Sequence, residues 1–489
     1  MSASPNLQLP YLDANQNQKS VTHNAALRRL DALVQVGVGS SALQAPPAAP
    51  ADGQRWIVAP GGTGAWAGRD LAIAAWQDGA WSFYPPGPGT LAFDAARGAV
   101  VCWSGTVWRA VDGDPLAAAG LPPALDYRLT EPDCLPPGQF ARLSTGCVTG
   151  AAGLLVPVAA GALRIEHDPF TGAPLGALME EQRTNLLLWS RAVDNAVWSK
   201  NALTIAADTV LAPDGTGTAD RLTSTGADGY IGQAIVLPAG PFTASIWAKS
   251  PDAGRTMNFV VGAGGARLAA AHYPIATTWQ RYAVSGNNPS SQVISIYLGG
   301  DATLPNGAVL DLWGAQIETG SFPTSTIPTT AAQATRAADS LAVPATSDWF
   351  NPNEGTFFVE GICPPSDKAR VFFEASDNAN AIDRIFFRND AGAYVAYVGI
   401  ASSTYLGLAM GAAVPGARVR AAVSYSAAAL AGSVNGAAAV SVRVSGTLPT
   451  ITVLRAGCSI IDAALTAPLN RLSYFPRALT AAQLQAMTA

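Results

Sequence analysis

The chain has 489 residues, of which only 13% are charged, and it contains 48 glycines and 35 prolines. An average soluble domain has about 25% charged residues, whereas disorder by composition needs about 25–30% glycine plus proline. The composition therefore excludes a charged coiled-coil rod and a disordered chain, and the length allows about three domains. A net charge of −5 provides no basic surface for nucleic acid. No apolar run reaches the ~18 residues of a transmembrane helix, so no membrane insertion is predicted.

The N-terminus and the cysteines predict assembly in a reducing cytosol. Residues 1–13 have neither a cationic region nor an apolar core, so no secretory signal peptide is predicted. The five cysteines are scattered and form no Cys-x-x-Cys pair; they are Cys102, Cys134, Cys147, Cys363 and Cys458. Reduced thiols are the prediction, and a Cys134–Cys147 disulfide stays open.

An N-terminal arm and one helix occupy residues 1–40, and they precede a small β domain at residues 41–112. Thr22 is the expected N-cap of the helix. Apolar residues follow it at helical spacing, namely Leu27, Leu30, Leu33 and Val34. Gly37 and Gly39 are expected to end the helix, and a proline-rich spacer leads into short β segments.

Tryptophans recur in pairs within the small β domain. Trp76 and Trp81 flank an Asp-Gly turn, and Trp103 and Trp108 flank a Ser-Gly turn. Such turns join the strands of a hairpin, so each pair is expected to lie on adjoining strands. Cross-strand packing of the indoles and a stacking platform for sugar rings both fit this pattern.

Three further segments complete the predicted organisation. Residues 113–183 are rich in proline and glycine and are predicted to form a connector with short strands of its own. Residues 184–343 and 344–489 each consist of short alternating runs separated by turn signals, which is typical of β-sandwiches. The predicted fold class is therefore mainly β, with two sandwiches after the small N-terminal domain.

Two local signals mark the last segment. Asn435-Gly436 lies between apolar runs and predicts a hairpin turn. Thr480 and Gln483 have the spacing of a capping box, which predicts a short helix at the C-terminus.

No catalytic or metal-binding motif stands out. The three histidines, His23, His167 and His272, lie far apart, so no transition-metal site is predicted. The chain lacks the motifs for acyl transfer, nucleotide hydrolysis and dinucleotide binding. Glu180 and Glu181 form the most conspicuous acidic pair, but adjacent residues diverge on a strand and Arg183 favours an ion pair. We therefore predict no enzyme activity and no cofactor, while hydrolysis of a glycan by two carboxylates stays an alternative.

Alternation within residues 184–343 places aromatic rings in the polar rows of strands. Side chains at i and i+2 share a face, so these rings lie beside serine, lysine, asparagine and aspartate side chains. The candidate glycan-binding residues are Trp247, Lys249, Asn258, Tyr297, Asp311 and Trp313. Rings beside polar groups suit the C–H faces and hydroxyls of a sugar. Aromatic rings also occur in the polar rows of strands when loops or a neighbouring subunit cover that face and bury it as a second layer.

Several distinctive runs lie within residues 6–110, namely LPYLDANQNQKSVTHNAALRRLDALVQ, PADGQRWIV, GAWAGRD and IAAWQDGAWSFY. They resemble an N-terminal domain of unknown function that recurs in tailed-phage structural proteins and in the phage-derived gene transfer agents of alphaproteobacteria. The resemblance implies attachment of this region to structural proteins of a particle.

The rest of the chain resembles phage spike and fibre proteins. The middle carries RIEHDPFTGAPLGALMEEQRTNLLLWS, TWQRYAVSG and LWGAQIETGSFPTSTIPTTAAQATRAADS, and is similar to carbohydrate-binding jelly rolls. Trp279 and Trp313 lie in framework motifs of that domain type, which favours a structural role for both. The end carries EGTFFVEG and NRLSYFPRALTAAQLQAM, and resembles concanavalin/laminin-G-like sandwiches. Some laminin-G-like domains bind calcium; no Asp-x-Asp-x-Asp cluster stands out, and that metal stays open.

Together these resemblances imply a subunit of a head spike or tail fibre on the surface of a virion or phage-like particle. Such a subunit attaches the particle to capsular or other surface polysaccharide of the host, and a homotrimer is the expected assembly. Two alternatives remain at this stage, a spike that depolymerises capsule and an appendage of purely architectural role.

Overall fold

The computed structural model describes residues 4–7, 9, 19–96, 99–111, 115–226, 229–299, 306–379, 382–400 and 404–489. The chain divides into two compact units, Met1–Pro115 and Leu116–Ala489. Strands dominate both units, which confirms the predicted fold class of a mainly β protein with two sandwiches. No helix within the described ranges is long and apolar enough to cross a membrane.

The first unit contains one α-helix and two small sheets. Its elements are α1 (Lys19–Leu33), β1 (Gly37–Val38), β2 (Arg55–Ile57), a 3-10 turn (Gly64–Trp66), β3 (Ile73–Gln77), β4 (Ala80–Tyr84), β5 (Leu91–Asp94), β6 (Ala99–Trp103) and β7 (Trp108–Ala110). The strand orders are β1-β5-β6-β7 and β2-β3-β4. The helix begins at Lys19, so Thr22 lies inside it and the predicted N-cap is wrong. Most of the polar arm before Lys19 lies outside the described residues.

The tryptophan pairs pack across hairpins. Trp76 is paired with Trp81 in register, and their ring centroids lie 5.1 Å apart. Trp103 and Trp108 are likewise paired, with centroids 5.7 Å apart. Trp81 also contacts Trp66, which is fully buried. The packing interpretation is therefore confirmed, because these rings hold a small sheet together edge to face.

The second unit begins with strands that lie before the predicted sandwiches. They are β8 (Leu125–Arg128), β9 (Phe140–Ala141), β10 (Gly146–Thr149), β11 (Leu155–Val158), β12 (Ile165–His167), β13 (Pro174–Met179) and β14 (Arg183–Asn185). The next ten strands are β15 (Ser199–Asn201), β16 (Leu203–Val210), β17 (Ala219–Ser224), β18 (Tyr230–Leu237), β19 (Gly240–Lys249), β20 (Thr256–Ala263), β21 (Ala266–Pro274), β22 (Gln280–Asn288), β23 (Gln292–Gly299) and β24 (Val309–Thr319).

The remaining elements complete the second unit. They are β25 (Ala334–Arg336), β26 (Ser340–Pro344), β27 (Glu354–Ile362), β28 (Ala369–Ser376), β29 (Arg384–Asp390), β30 (Ala393–Ile400), β31 (Thr404–Ala412), β32 (Arg418–Ser426), β33 (Ala429–Val434), β34 (Val440–Arg443), β35 (Val453–Ala456), β36 (Ala467–Phe475) and α2 (Ala481–Thr488). Asn435 and Gly436 form the predicted turn with positive φ angles of 49° and 74°. Thr480 and Gln483 form the predicted capping box at the start of α2.

Strands β15 to β24 form a sandwich of two five-stranded sheets, which we call the inserted sandwich. One sheet has the order β16-β17-β24-β19-β22 and is called the covered sheet; the other has the order β15-β18-β23-β20-β21 and is called the groove sheet. Alternate residues of β19, such as Phe242 and Ile246, are fully buried between the two sheets. The predicted alternation of β19 is therefore confirmed for its inward face.

The C-terminal sandwich draws strands from both sides of the inserted sandwich. Its larger sheet has the order β12-β13-β36-β27-β32-β33-β34, with β8 also paired to β36. Its second sheet has the order β31-β30-β29-β28-β35-β26-β9. Strands β14 and β25 pair with each other on either side of the insertion. The C-terminal sandwich is thus interrupted in sequence by the inserted one.

This topology changes two predicted boundaries. Residues 113–183 are more than a connector, because four of their strands are integral to the C-terminal sandwich. Strand β26 (Ser340–Pro344) also belongs to that sandwich, although the sequence pattern predicts residues 340–343 to be part of the preceding domain. Local sequence patterns show strands but not their partners, and these partners lie more than 100 residues away.

All five cysteines are free thiols, including Cys134 and Cys147. Burial raises the pKa of the Cys147 and Cys458 thiols, in the latter case to about 11. Both therefore stay protonated at neutral pH.

Candidate functional site

A groove of about 680 Å³ lies on the outer face of the groove sheet. Strands β18, β20 and β23 direct Ile231, Phe259 and Ile296 into the core, so their alternate residues face outward. The outward side chains that line the groove include Tyr230, Asn258, Val260, Arg267, Ser295 and Tyr297. The groove is therefore formed by the polar rows of neighbouring strands.

Tyr297 provides an exposed aromatic surface in the groove. Its side chain is 38% exposed, and the Tyr230 ring meets it edge-on with centroids 5.4 Å apart. Gly232 is the cross-strand partner of Tyr297 on β18. A methyl group on Gly232 would lie 3.1 Å from the tyrosine ring and 2.6 Å from the Ile296 carbonyl oxygen. The glycine thus leaves space for the ring to lie over the neighbouring strand.

Polar groups border this aromatic surface. The Asn258 side-chain oxygen lies 2.8 Å from Nδ1 of His272, its cross-strand partner, and this hydrogen bond orients the amide. Arg267 follows the tight turn at Gly264 and Gly265, whose φ angles are +55° and +83°. Among the described residues that line the groove, Arg267 carries the sole formal charge.

The groove combines groups that recognise carbohydrate. An aromatic ring and exposed valines, including Val293, suit the C–H face of a pyranose. The Asn258 amide, the Ser295 hydroxyl and the Arg267 guanidinium suit its hydroxyls. A cleft of this size with a few convergent polar groups is typical of a small-ligand site.

The structure buries two of the predicted site residues. Trp313 is fully buried, donates a hydrogen bond from its indole N–H to Thr218 Oγ1 at 3.1 Å, and lies beneath the Arg191 guanidinium at 4.5 Å. Asp311 is also buried and accepts two hydrogen bonds from Arg221, at 2.8 and 3.0 Å. Neither side chain can reach a glycan, so the prediction of both as ligands is corrected to structural roles.

Lys249 and Trp247 also lie on the covered sheet, away from the groove. The Lys249 ammonium lies 5.0 Å above the Trp279 ring, whose indole N–H donates to the Leu211 carbonyl at 2.8 Å. Trp279 is therefore a framework residue, in agreement with the resemblance. Trp247 is partly exposed, and it borders a separate cleft. Of the six predicted residues, the structure brings Asn258 and Tyr297 together in the groove.

Part of the outward face of the covered sheet is buried, because residues 324–326 lie against it and a cluster of ions binds this segment. Arg164 binds Glu180 at 2.7 Å and also pairs with Asp339. Arg142 binds the second oxygen of Asp339 at 3.1 Å, and Arg336 binds Glu180 at 3.0 Å. All five side chains are at most 3% exposed. This cluster connects the segment before the inserted sandwich to the segment after it.

The acidic pair singled out in the sequence is part of this arrangement. Glu181 pairs with Arg183, as predicted, and Glu180 belongs to the ion cluster. Burial alone would raise the pKa of Glu180, but Arg336, Arg164 and hydrogen bonds from Ser325 lower it to about 2. The two carboxylates are thus held by arginines in structural pairs.

The Glu180 pKa predicts acid sensitivity. The pKa of Glu180 in the folded protein is about 2, below the ordinary value of 4.5. The ionised carboxylate therefore stabilises the fold fully above about pH 4.5, and this stabilisation is lost as the pH falls toward 2. We expect the free energy of unfolding to drop by about 3 kcal/mol over this range. Urea unfolding at pH 6, 4 and 2.5 measures it. Glu180→Gln should make the free energy of unfolding less dependent on pH. An equal pH dependence of the wild-type and variant proteins would contradict the low pKa of Glu180.

Sequence reasoning missed Tyr230, Arg267 and His272. Tyr230 begins β18, whose alternation of apolar and polar residues indicates which side chains face outward. Arg267 and His272 lie on β21, where apolar alternation is weak because this edge strand is largely exposed. The place of Arg267 in the groove and of His272 beside Asn258 depends on the β20–β21 register, which has an irregularity at Gly262.

Comparisons with known proteins add one family match. Residues 23–109 match a family described as a protein of unknown function, DUF2793. No curated protein matches the chain. Within the described ranges, no group of three or more histidine, cysteine, aspartate or glutamate side chains is arranged to hold a metal ion.

Solved structures that the chain resembles include carbohydrate-binding modules. One is the Ruminococcus gnavus IT-sialidase CBM40 bound to alpha2,3 sialyllactose, with 13% identity, a TM-score of 0.26, and coverage of 28% of this chain and 84% of that one. Another is the CBM22-1 xylan-binding domain of Paenibacillus barcinonensis Xyn10C, with 14% identity, a TM-score of 0.22, and coverage of 27% and 93%. A third is CBM6cm-2 of Cellvibrio mixtus lichenase 5A with cellotriose, with 14% identity, a TM-score of 0.21, and coverage of 28% and 96%. With TM-scores this low, the ligand of the groove has to be inferred from its own side chains.

Proposed function

We propose that this chain is an adhesin that binds polysaccharide in the groove of the inserted sandwich. The observation that carries the proposal is the exposed Tyr297 ring over Gly232, bordered by Asn258 and Arg267. A sugar ring stacked on Tyr297 places its equatorial hydroxyls within reach of these polar groups. The open groove admits an internal segment of a polymer as well as a chain end.

The groups in the groove support binding rather than cleavage. Hydrolysis of a glycosidic bond uses two carboxylic acids on either side of the scissile bond. The described lining instead offers aromatic, aliphatic, amide, hydroxyl and guanidinium groups. We therefore propose no enzyme activity, and a depolymerising spike is the alternative that the experiment below tests.

The biological setting is part of the proposal. The sequence resemblance to phage and gene transfer agent appendages supports a spike or fibre subunit on a particle surface, assembled in the bacterial cytoplasm. We propose that the N-terminal region attaches it to particle structural proteins and that the subunit forms a homotrimer. Multivalency favours this design, since linked weak sites raise avidity ~10²–10⁴-fold without new contacts.

Tyr297→Ala tests the groove. We expect binding to a panel of purified bacterial capsular polysaccharides to weaken by about tenfold or more, because the contact between the C–H face of a sugar ring and the aromatic side chain is lost. Affinity electrophoresis of the full chain measures retention by each polymer. The thermal unfolding midpoint should change little, because the side chain is already 38% exposed.

Tyr405→Ala is the matched control, because this tyrosine is 37% exposed and lies in the C-terminal sandwich. Retention lost in this variant and kept in Tyr297→Ala would place the site in the other sandwich. Polymer length, followed by size-exclusion chromatography, should stay constant on incubation with the wild-type chain. Shortening would support the enzyme alternative, and absence of both retention and shortening would support an architectural role.

A further inference from the structure

A second cavity, of about 470 Å³, lies between the covered sheet and the C-terminal sandwich. We call it the junction cleft. Trp247 and Arg281 are cross-strand partners on β19 and β22, and both border it from the covered sheet. Ile362, Pro365 and Pro468 border it from the C-terminal sandwich. Clefts at the junction of two folded bodies are frequent ligand sites.

Arg281 is the unusual group in this cleft. It donates to the Thr324 carbonyl at 2.5 Å and to Ser245 Oγ at 2.9 Å, so both recorded partners are neutral. Its Nε is buried and, like the Nε of Arg164 and of Arg336, has no hydrogen-bond partner within the described residues. A guanidinium has five N–H donors, and a buried one is normally paired with a carboxylate. Each terminal nitrogen of Arg281 therefore keeps one N–H for a ligand.

Two neighbouring arginines, unlike Arg281, are paired with a carboxylate. Arg164 and Arg336 are each paired with Glu180 at hydrogen-bond distance. Glu318 and Glu180 attract Arg281 electrostatically, but the Glu318 carboxylate accepts hydrogen bonds from Thr324 and Gln316 instead. Among the described residues, no carboxylate pairs directly with this cation.

Trp247 provides the second contact surface. It is partly exposed in the cleft, and its indole nitrogen lies 3.4 Å from Thr326 Oγ1. An aromatic ring beside a guanidinium matches a pyranose ring that carries an acidic group. We propose that the junction cleft is a second binding site, for a sugar bearing a carboxylate, with Trp247 stacking on the ring and Arg281 binding the carboxylate.

The rest of the lining fits an oxygen-rich ligand. Thr149, Ser325 and Thr466 border the cleft. Glu166 borders it as well and accepts a hydrogen bond from the Thr149 backbone N–H at 3.2 Å. Burial raises the pKa of Glu166, which reduces its repulsion of an anion. The ion cluster that includes Glu180 fixes one side of the cleft, so the site is formed before a ligand binds.

Titration of the full chain with sodium glucuronate, followed by calorimetry, tests this site, with glucose as the neutral comparison. We expect saturable binding of glucuronate and at least about tenfold weaker binding of glucose, because a charge-assisted hydrogen bond is lost. Arg281→Gln should weaken glucuronate binding by a similar factor. Arg255→Gln is the matched control, since Arg255 pairs with Asp252 on the surface of the same sandwich.

Ile362→Trp provides an independent variant, because it fills the cleft from the opposite wall without removing a polar group. It should also abolish glucuronate binding, with an unchanged unfolding midpoint. Lack of glucuronate binding by the wild-type chain, equal affinity for glucose, or binding that survives Ile362→Trp would overturn the proposal. Loss in Tyr297→Ala with retention in Arg281→Gln would assign the ligand to the groove and also overturn it. The polysaccharide test of the groove is separate, so either site can fail alone.

Discussion

Replacing Asp339 with alanine is expected to lower the free energy of unfolding of the second unit by about 3–5 kcal/mol. Asp339 is fully buried and binds Arg142 at 3.1 Å and Arg164 with its other oxygen. It also accepts a hydrogen bond at 2.8 Å from the Glu180 backbone N–H. Removal of this one carboxylate takes the counter-charge from buried Arg142 and leaves Arg164 with Glu180 alone, which costs more than the loss of an exposed ion pair.

Urea unfolding followed by tryptophan fluorescence measures this change. Asp252→Ala is the control, because the Asp252–Arg255 pair is exposed and its loss should cost less than about 1 kcal/mol. Equal losses in the two variants would mean that the buried cluster contributes no more than a surface pair. Asp339→Asn should fall between them, since the amide keeps the shape and loses the charge.

A fragment comprising residues 344–489 is expected not to fold on its own. Residues from the segment before the inserted sandwich fill part of its core, and they are Tyr127, Leu129, Leu163, Ile165, Ala177 and Met179. Full burial of a large apolar side chain contributes about 1.5–3 kcal/mol, so loss of five of them is comparable to the whole 5–15 kcal/mol stability of a typical domain. The fragment would also expose the β36 edge that β13 and β8 cover.

Circular dichroism and thermal unfolding of purified fragments test this expectation. Residues 116–489 contain both halves of the C-terminal sandwich and should unfold cooperatively. Residues 183–336 contain the inserted sandwich with its closing β14–β25 pair, and should also fold. A cooperative transition of residues 344–489 at the midpoint of the longer fragment would show that the preceding strands are dispensable.

Much of the local structure could be predicted because its causes are local. The Asn435-Gly436 turn and the Thr480 capping box depend on residues within a few positions of each other. The tryptophan pairs followed from hairpin geometry, since a two-residue turn determines which side chains face each other. The Thr22 N-cap was wrong because the helix extends one further turn toward the N-terminus.

The candidate site was predicted in part. Alternation correctly separated Asn258 and Tyr297 from the inward rows of β20 and β23. The same pattern selected Asp311 and Trp313, which are buried. Alternation assigns each residue to one of two faces, and it carries no information about whether the second face meets solvent or another layer.

The sequence by itself determined the mainly β class, the positions of most strands and turns, and the two rows of side chains on each strand. Only the tertiary structure decided which strands pair across the inserted sandwich and which of its two sheets is open. Those outcomes depend on contacts between residues more than 100 positions apart, such as Arg164 with Asp339. Because a strand exposes the same hydrogen-bonding groups whatever its partner, its sequence does not identify that partner.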